Sequence, residues 1–448
     1  MDKTLDMTAG SPSKLLIRFA IPLMVANIFQ QLYTVVDTAI VGQGVGMSAL
    51  AAVGSVDWLN WMMLGIACGF TMGFSVRISQ KFGEGDQEGL QLFMGQSAVA
   101  SAVLAVVFTV ITQLCLPLFL RVLRVPEELY SMAELYCRII MGGLPVVFFF
   151  NFCSSMLRAV GNGKTPLVAT AVASITNIIL DLLAVYVLEW GIAGAAVATV
   201  IAQALSGMIC LIKIFRTPQL RFGKRHLHVR GEVQRNLMKI GTPSAVKNVM
   251  IALGGIAVMA VVNTFGTSFI AGFTAASKLY GLLEIAALSY GYAVTTYVGQ
   301  NYGAMRPERI KAGMKSATVL AIATSLVIAL IMILFGRSIT MLFISNDNPV
   351  LAAEAGEVAY SFLCVMASAL PVLYMLYIFL SALQGLGDTV RPMIAGIIGL
   401  VLRVVIALIV ARTGYEVGIF STETAAWLGA MLYLWYHYWK RAKRGICC

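Results

Sequence analysis

One segment of the chain occurs twice, and each copy lies between long apolar runs. Residues 157–166 read LRAVGNGKTP, and residues 383–392, 226 positions later, read LQGLGDTVRP. A Leu-Pro pair recurs at the same offset (residues 144–145 and 370–371), and Pro22 recurs as Pro243 at an offset of 221. Repeats of several features at the similar offsets of 221 and 226 residues predict that the chain consists of two copies of one structural unit.

Apolar segments long enough to cross a membrane recur along the whole chain. Of the 448 residues, 59% are hydrophobic and 12% are charged, whereas a soluble protein carries about 25% charged residues. About 20 apolar residues cross a hydrocarbon core of roughly 30 Å. The sequence therefore predicts an all-α polytopic membrane protein with twelve spans, near 15–41, 50–76, 92–116, 131–153, 166–188, 192–213, 240–265, 270–297, 316–336, 356–382, 393–411 and 424–439.

A basic stretch at 214–239 divides the chain into an N-terminal lobe (1–213) and a C-terminal lobe (240–448), with six predicted spans each. With six spans per lobe, both copies enter the membrane in the same direction, so we expect a pseudo-twofold axis along the membrane normal. This organisation is typical of secondary transporters. Lys and Arg concentrate on one side, which predicts a multi-pass protein of the cell membrane with both termini in the cytoplasm.

The net charge of +11 follows from that topology, so we expect contacts with membrane lipids and none with nucleic acid. The GNGKT sequence at 161–165 resembles the end of a nucleotide-binding P-loop. However, Arg158 occupies the position of the required first glycine and no strand precedes it. The scattered cysteines and three histidines form no catalytic or metal-ligand pattern. We therefore expect no enzyme activity, cofactor or nucleotide, and transport driven by H⁺ or Na⁺.

Four carboxyl groups fall inside predicted spans: Asp37, Asp57, Asp181 and Glu284. Each costs about 2.5–3.5 kcal/mol on membrane insertion, which favours a functional role. Asp37, Asp181 and Thr199 lie at similar predicted depths, and Asn177 precedes Asp181 by one turn on the same helix face. These four residues predict one site for H⁺ or Na⁺, with no other metal. Alternatively, the aspartates only hydrogen-bond to neighbouring helices.

Other polar side chains are candidates for a substrate pathway. On the first helix they are Asn27, Gln30, Gln31 and Thr34. The second half replaces Asn177 with Arg403 and Asp181 with Ala407, and it adds Lys247, Lys278 and Glu284. We interpret these charged residues as mainly structural, some of them as ion pairs, and we keep Glu284 and Arg403 as pathway candidates.

With these residues, the chain resembles the MATE family, the multidrug and toxic compound extrusion transporters. The resemblance rests on Ile21-Pro22 followed by Asp37, on the two repeated segments at 157–166 and 383–392, and on VGQNYG at 298–303. It implies twelve helices in two six-helix bundles around a central cavity. It also implies export of organic cations against inward Na⁺ or H⁺.

Within the family, the chain resembles the DinF-like branch more than the NorM-like branch. The DinF-like cation site carries over to Asp37, Asn177, Asp181 and Thr199. The NorM-like branch uses acids on the seventh and tenth helices, where this chain has Lys247 and no internal carboxylate. We therefore expect a monomeric secondary active multidrug exporter that works by alternating access. Because lipid-linked sugar flippases share the superfamily, the alternative is a flippase or carrier for a lipid-linked or anionic metabolite.

Overall fold

The computed structural model describes residues 4–341 and 349–446, and this part of the chain is built from α-helices joined by short connections. Within these ranges the helices follow one another as α1 (Pro12–Gly44), α2 (Met47–Glu84), α3 (Gln87–Val122), α4 (Glu127–Gly142), α5 (Leu144–Ala159), α6 (Lys164–Leu182), α7 (Gly191–Arg216), α8 (Gly231–Val262), α9 (Thr267–Gly303), α10 (Pro307–Met341), α11 (Pro349–Ser368), α12 (Leu370–Gly385), α13 (Val390–Thr413) and α14 (Ser421–Arg444).

The helices reproduce the predicted membrane spans. Ten of the described helices are long and apolar enough to cross a membrane, and α4 with α5 passes the same test as one bent span. Each of the twelve predicted spans falls on one helix or on two consecutive helices. The last predicted span lies on α14, which is not among the ten and carries basic residues in its last turn. The prediction of an all-α, polytopic membrane protein is confirmed.

Two spans that we predicted as continuous are broken. The span at 131–153 is divided at Gly143 into α4 and α5, which meet at 43°. The span at 356–382 is divided at Ala369 into α11 and α12. In both cases a proline is the second residue of the new helix, at Pro145 and Pro371. Proline has no N–H to donate and its ring clashes with the preceding turn, so the earlier helix cannot continue through it.

The repeated segment folds into the same turn twice. Gly161 and Gly387 have φ of +81° and +83°, the left-handed conformation that glycine adopts without strain. In both copies the next N–H donates to a carbonyl five residues back, from Asn162 to Leu157 and from Asp388 to Leu383, at 2.9 Å each. This pattern closes one helix before the next one begins, so each copy encodes a tight interhelical turn.

The chain divides into two compact units that we describe separately. Unit 1 comprises the N-terminal residues up to Asp6 together with Ile21–Ala245, and unit 2 comprises Met7–Ala20 and the chain from Val246 onward. The divisions fall inside α1 and α8, close to Pro22 and Pro243. The first part of α1 therefore belongs to unit 2, and the first part of α8 to unit 1. Our lobe boundaries at 213 and 240 stay a prediction.

The predicted linker at 214–239 is shorter in the structure, since α7 runs to Arg216 and α8 starts at Gly231. The remaining residues, 217–230, form the connecting segment, which is docked on α3 of unit 1. The side chain of Gln96 donates to the carbonyl oxygens of His226 and His228 at 2.8 and 2.7 Å, and accepts from the N–H of Arg230 at 3.0 Å. Because Gln96 is fully buried, this segment has a defined position.

The residues before α1 are anchored in unit 2. The N–H of Met7 donates to the side chain of Gln300 at 2.9 Å, and its carbonyl accepts from Asn301 at 3.0 Å and from Arg309 at 3.2 Å. Met7, Gln300 and Asn301 are all fully buried. The VGQNYG sequence at 298–303 therefore has a structural role, because its two amide side chains hold the main chain of Met7.

Candidate functional site

Two aspartates on different helices meet inside unit 1. Asp37 lies on α1 and Asp181 on the last turn of α6, and their side chains are within hydrogen-bonding range of each other. Asp181 is fully buried, and Asp37 is half-buried. Two ionised carboxylates are both acceptors and repel each other, so this contact is favourable only when a proton or a cation lies between them.

Several acceptor oxygens around this pair lack a donor. Four of the buried oxygens that have no hydrogen-bond partner in the described part of the chain lie on these side chains: Oδ1 of Asp37, Oδ1 of Asn177 and both carboxylate oxygens of Asp181. Leaving a buried acceptor unsatisfied costs about 1–3 kcal/mol, and more when it is charged. A cluster of unsatisfied oxygens on neighbouring side chains suits a proton or a hard cation, which would satisfy several of them together.

Thr199 on α7 completes the predicted group. Its hydroxyl donates to the carbonyl of Ala195 at 3.1 Å, and it lies 3.5 Å from the side-chain nitrogen of Asn177. Because the Thr199 proton is engaged with its own helix, the hydroxyl oxygen keeps its lone pairs for Asn177 or for a cation. The structure thus brings Asp37 to Asp181 and Asn177 to Thr199, near the C-terminal end of α6 and the N-terminal end of α7.

The backbone after Asp181 is irregular. A short π-helical segment, Leu183–Val187, follows α6 directly. Its side chains pack closely on the end of α1, because a methyl group at Gly44 would lie 2.4 Å from Val185. Single π turns inside helices often accompany functional sites, since they rotate the flanking side chains out of the regular register. Here the π turn begins two residues after Asp181.

Two tyrosines next to the aspartates were missed by the sequence analysis. The charges of Asp37 and Asp181 both act on Tyr33, and that of Asp37 also acts on Tyr136 of α4. Tyr33 precedes Asp37 by four residues, which places the two on one face of α1. That spacing was a usable signal for Tyr33. Tyr136 is distant in sequence and uncharged, so no pattern pointed to it.

The other pathway candidates on α1 are more accessible to solvent than the fully buried Asp181. Asn27, Gln30 and Gln31 are half-buried and Thr34 is exposed. The Thr34 hydroxyl donates to the carbonyl of Gln30 at 2.9 Å, a bond within the helix. A role for these four side chains in a substrate pathway stays a prediction.

In unit 2 the structure pairs Arg403 of α13 with Glu423 of α14. Two parallel hydrogen bonds of 2.8 and 2.6 Å join them. Glu284 of α9 accepts a hydrogen bond from the hydroxyl group of Tyr377. We had expected pairing among the charged residues of the second half, but the partner Glu423 was missed because it lies at the edge of the last predicted span. Lys247 is buried, at 9% exposure, and Lys278 is exposed.

Comparison with known proteins identifies relatives over most of the chain. The MatE family model matches residues 22–183 and again 243–409. These two matches start 221 residues apart, in agreement with the offset of the repeated motifs. The probable multidrug resistance protein YpnP of Bacillus subtilis is 28% identical over 79% of this chain and 79% of its own length. A FAD transporter of Shewanella oneidensis is 23% identical over 90% of this chain and 88% of its own.

The fold also matches a solved structure. A MOP superfamily transporter from Pyrococcus furiosus, described as having a binding pocket of reverse polarity that suggests a different function, superposes with a TM-score of 0.92 at 23% identity. The match covers 99% of this chain and 98% of that one. At this identity the likeness concerns the fold alone, and it agrees with the predicted fold class.

Proposed function

The chain belongs to the MatE family of membrane transporters, and on this premise we propose that it exports amphipathic, mainly cationic small molecules against an inward flow of H⁺ or Na⁺. It is a transporter and not an enzyme. The observation that carries the proposal is the set of buried acceptor oxygens on Asp37, Asn177 and Asp181, which lack donors in the described part of the chain. A bound proton or cation would satisfy them.

The position of these groups supports a coupling mechanism. Asp37 belongs to α1 and Asp181 to α6, so binding of an ion changes the free energy of holding the two helices together. With the site empty, the two carboxylates repel each other and favour separation, whereas a bound H⁺ or Na⁺ favours the close arrangement. Ion and substrate would then be linked because each favours a different helix position. The expected coupling is about 1–3 kcal/mol, which is about 5–150-fold in substrate affinity.

The cellular setting belongs to the same proposal. The protein would act as a monomer in the cell membrane. Both termini would lie in the cytoplasm, as the distribution of Lys and Arg predicts. The three exposed arginines and the one exposed lysine of the connecting segment would then face anionic lipid headgroups. The site in the N-terminal half is what the DinF-like branch implies, and that branch assignment stays a prediction.

Efflux from proteoliposomes tests the proposal. Vesicles containing the full-length protein are loaded with the fluorescent cation ethidium, and a pH gradient and a Na⁺ gradient are imposed separately. We expect one of the gradients to drive efflux in the wild type and neither to drive it in Asp181→Asn, which cannot cycle a charge. Gradient-driven efflux at the wild-type rate in Asp181→Asn would contradict the assignment of the site.

A carrier for an anionic metabolite is the second candidate. It is supported by the relative named as a FAD transporter and by the cationic side chains of unit 2, Lys247 and Lys278. Ammonium groups bind phosphate oxygens as point charges. Uptake of labelled FAD into proteoliposomes distinguishes the two candidates. If FAD is carried and ethidium is not, and Lys247→Gln lowers only FAD uptake, the second candidate replaces the first.

A further inference from the structure

A second group of charged side chains lies in unit 2. Arg403 is 7% exposed, and its guanidinium makes two parallel hydrogen bonds to the carboxylate of Glu423. Paired in this way, the two charges compensate each other and the guanidinium is already engaged. Arg403 is held further by α8, since a methyl group at Gly254 would lie 2.8 Å from its side chain.

Glu284 adds a carboxylate in excess to this group. It interacts electrostatically with both Arg403 and Glu423, so the three side chains together carry one net negative charge when all are ionised. The hydroxyls of Tyr377 and Tyr280 are both hydrogen-bonding partners of Glu284, but they bring no charge. Burying an uncompensated charge is costly, which means that a cation near Glu284 would be stabilised. Glu284 is half-buried, so part of its side chain is accessible.

Aromatic rings flank this carboxylate. Tyr280 lies one turn before Glu284 and on the same face of α9, and it stacks on the buried Trp427 with ring centroids 5.6 Å apart. Tyr377 approaches from α12, and both tyrosines are half-buried. The Tyr280 ring is thus fixed from behind by Trp427 while part of it stays accessible. An aromatic face beside a carboxylate binds ammonium and other organic cations by combining cation–π and ionic attraction.

We propose that Glu284, Tyr280 and Tyr377 form a binding site for an organic cation in the second half of the chain, with the Arg403–Glu423 pair as its base. The positive charge of the ligand pairs with the Glu284 carboxylate, and its apolar body packs on the two tyrosine rings. This inference rests on the proposed function, because it assigns the place where the exported cation binds. The residues assigned to the substrate are thus different from those assigned to the coupling ion, Asp37 and Asp181.

The donor set favours an organic cation over Na⁺. An inorganic cation needs several converging oxygen acceptors, as found around Asp181. Around Glu284 the Tyr377 hydroxyl directs its proton at the carboxylate, so this hydroxyl competes with a small ion for the same oxygen. A larger cation with delocalised charge does not need to replace that hydrogen bond. It can approach over the rings and pair with the carboxylate from the accessible side.

Binding of tetraphenylphosphonium to the purified full-length protein tests the site. We expect Glu284→Gln to lower the affinity about 10- to 100-fold, the usual effect of losing a charged partner. Tyr280→Leu should lower it about 3- to 30-fold, whereas Tyr280→Phe keeps the ring and should bind almost as the wild type does. Glu416→Gln, an exposed glutamate of the same half, is the matched control and should have no effect.

The outcomes separate this inference from the proposed function. If the wild type exports the cation and Asp181→Asn does not, but Glu284→Gln and Tyr280→Leu bind it with wild-type affinity, the site is wrong and the exporter stands. If Glu284→Gln changes only the Na⁺ or pH dependence of transport, the residue serves the coupling ion and the inference is also wrong. If the wild type neither binds nor exports any organic cation, both proposals fail. If Glu284→Gln does not fold, the comparison of Tyr280→Leu with Tyr280→Phe still tests the site.

Discussion

Replacing Asp181 by Asn should abolish transport and at the same time make the protein more stable. In the wild type both carboxylate oxygens of Asp181, Oδ1 of Asp37 and Oδ1 of Asn177 are buried without a hydrogen-bond donor in the described structure. The substitution removes one of these acceptors and one charge, and it introduces an NH₂ group beside the remaining acceptors. The Asp37 carboxylate, which is within hydrogen-bonding range, is the nearest partner for this new donor.

The size of the effect follows from counting acceptors. Each buried acceptor that gains a donor recovers about 1–3 kcal/mol, and the repulsion between two carboxylates is lost in addition. With one acceptor satisfied, the midpoint of thermal unfolding should rise by at least about 2 °C, and by more if Asn177 also gains a donor. An increase in stability together with a loss of function is the behaviour expected of a residue that is kept for function at a cost in stability.

Two measurements check this prediction. The thermal midpoint is measured in detergent at pH 9.5 without Na⁺, so that neither a proton nor Na⁺ occupies the site, and gradient-driven ethidium efflux is measured in proteoliposomes. Glu128→Gln serves as the control, because this acid is an exposed residue of the same unit and should leave both readouts close to wild type. A lower midpoint for Asp181→Asn would show that the carboxylate holds helices together, and our reasoning about the unsatisfied oxygens would be refuted.

Three further predictions concern the rest of the molecule. Gln96→Leu removes the hydrogen bonds that dock the connecting segment, so trypsin should cleave that segment much faster while the helices stay intact. Burial, and then the neighbouring arginine charges, lower the pKa of His226 below 6.5. Docking of the connecting segment should therefore be strongest above pH 6.5 and weaken as the pH falls. Protonation of His226 at Nδ1 breaks the hydrogen bond that this atom accepts from the Gly223 N–H. Hydrogen exchange of the connecting segment, corrected for intrinsic rates, should become faster at low pH in the wild type and should not show this pH dependence in His226→Gln. Arg403→Met should destabilise unit 2 by about 3–5 kcal/mol by leaving Glu423 unpaired, whereas the double variant with Glu423→Leu should unfold near the wild-type midpoint.

The features that sequence predicted well are those with a local physical cause. Gly161 and Gly387 end helices because glycine tolerates positive φ, and this requirement can be read from a few residues. The twelve apolar runs are likewise recognised from their own residues, because the length and hydrophobicity of a segment decide whether it can span a membrane. The breaks at Gly143 and Ala369 were missed, because hydropathy is continuous across them. Only the prolines that follow indicated a bend, and a bend does not distinguish a kink from a new helix.

The candidate ion site was predictable in part. Helix periodicity placed Asn177 and Asp181 on one face, and equal depth grouped them with Asp37 and Thr199. Tertiary partners were beyond this reasoning. Tyr136 carries no charge, and Glu423 lies outside the residues that we had treated as intramembrane, so nothing local linked them to Asp37 or Arg403. The function of the site stays a prediction until transport is measured.

The anchoring of Met7 has a consequence for the order of events during synthesis. Met7 leaves the ribosome well before Gln300, whose side chain accepts a hydrogen bond from the Met7 N–H and lies 293 residues later in the chain. At about 5–20 residues per second, this partner appears roughly 15–60 s later. Until then the N-terminal segment has no place to dock, and most of the helices have already been made. Unit 2 therefore cannot be completed in the order in which it is translated, and the segment around Met7 reaches its final position only after α9 has been made.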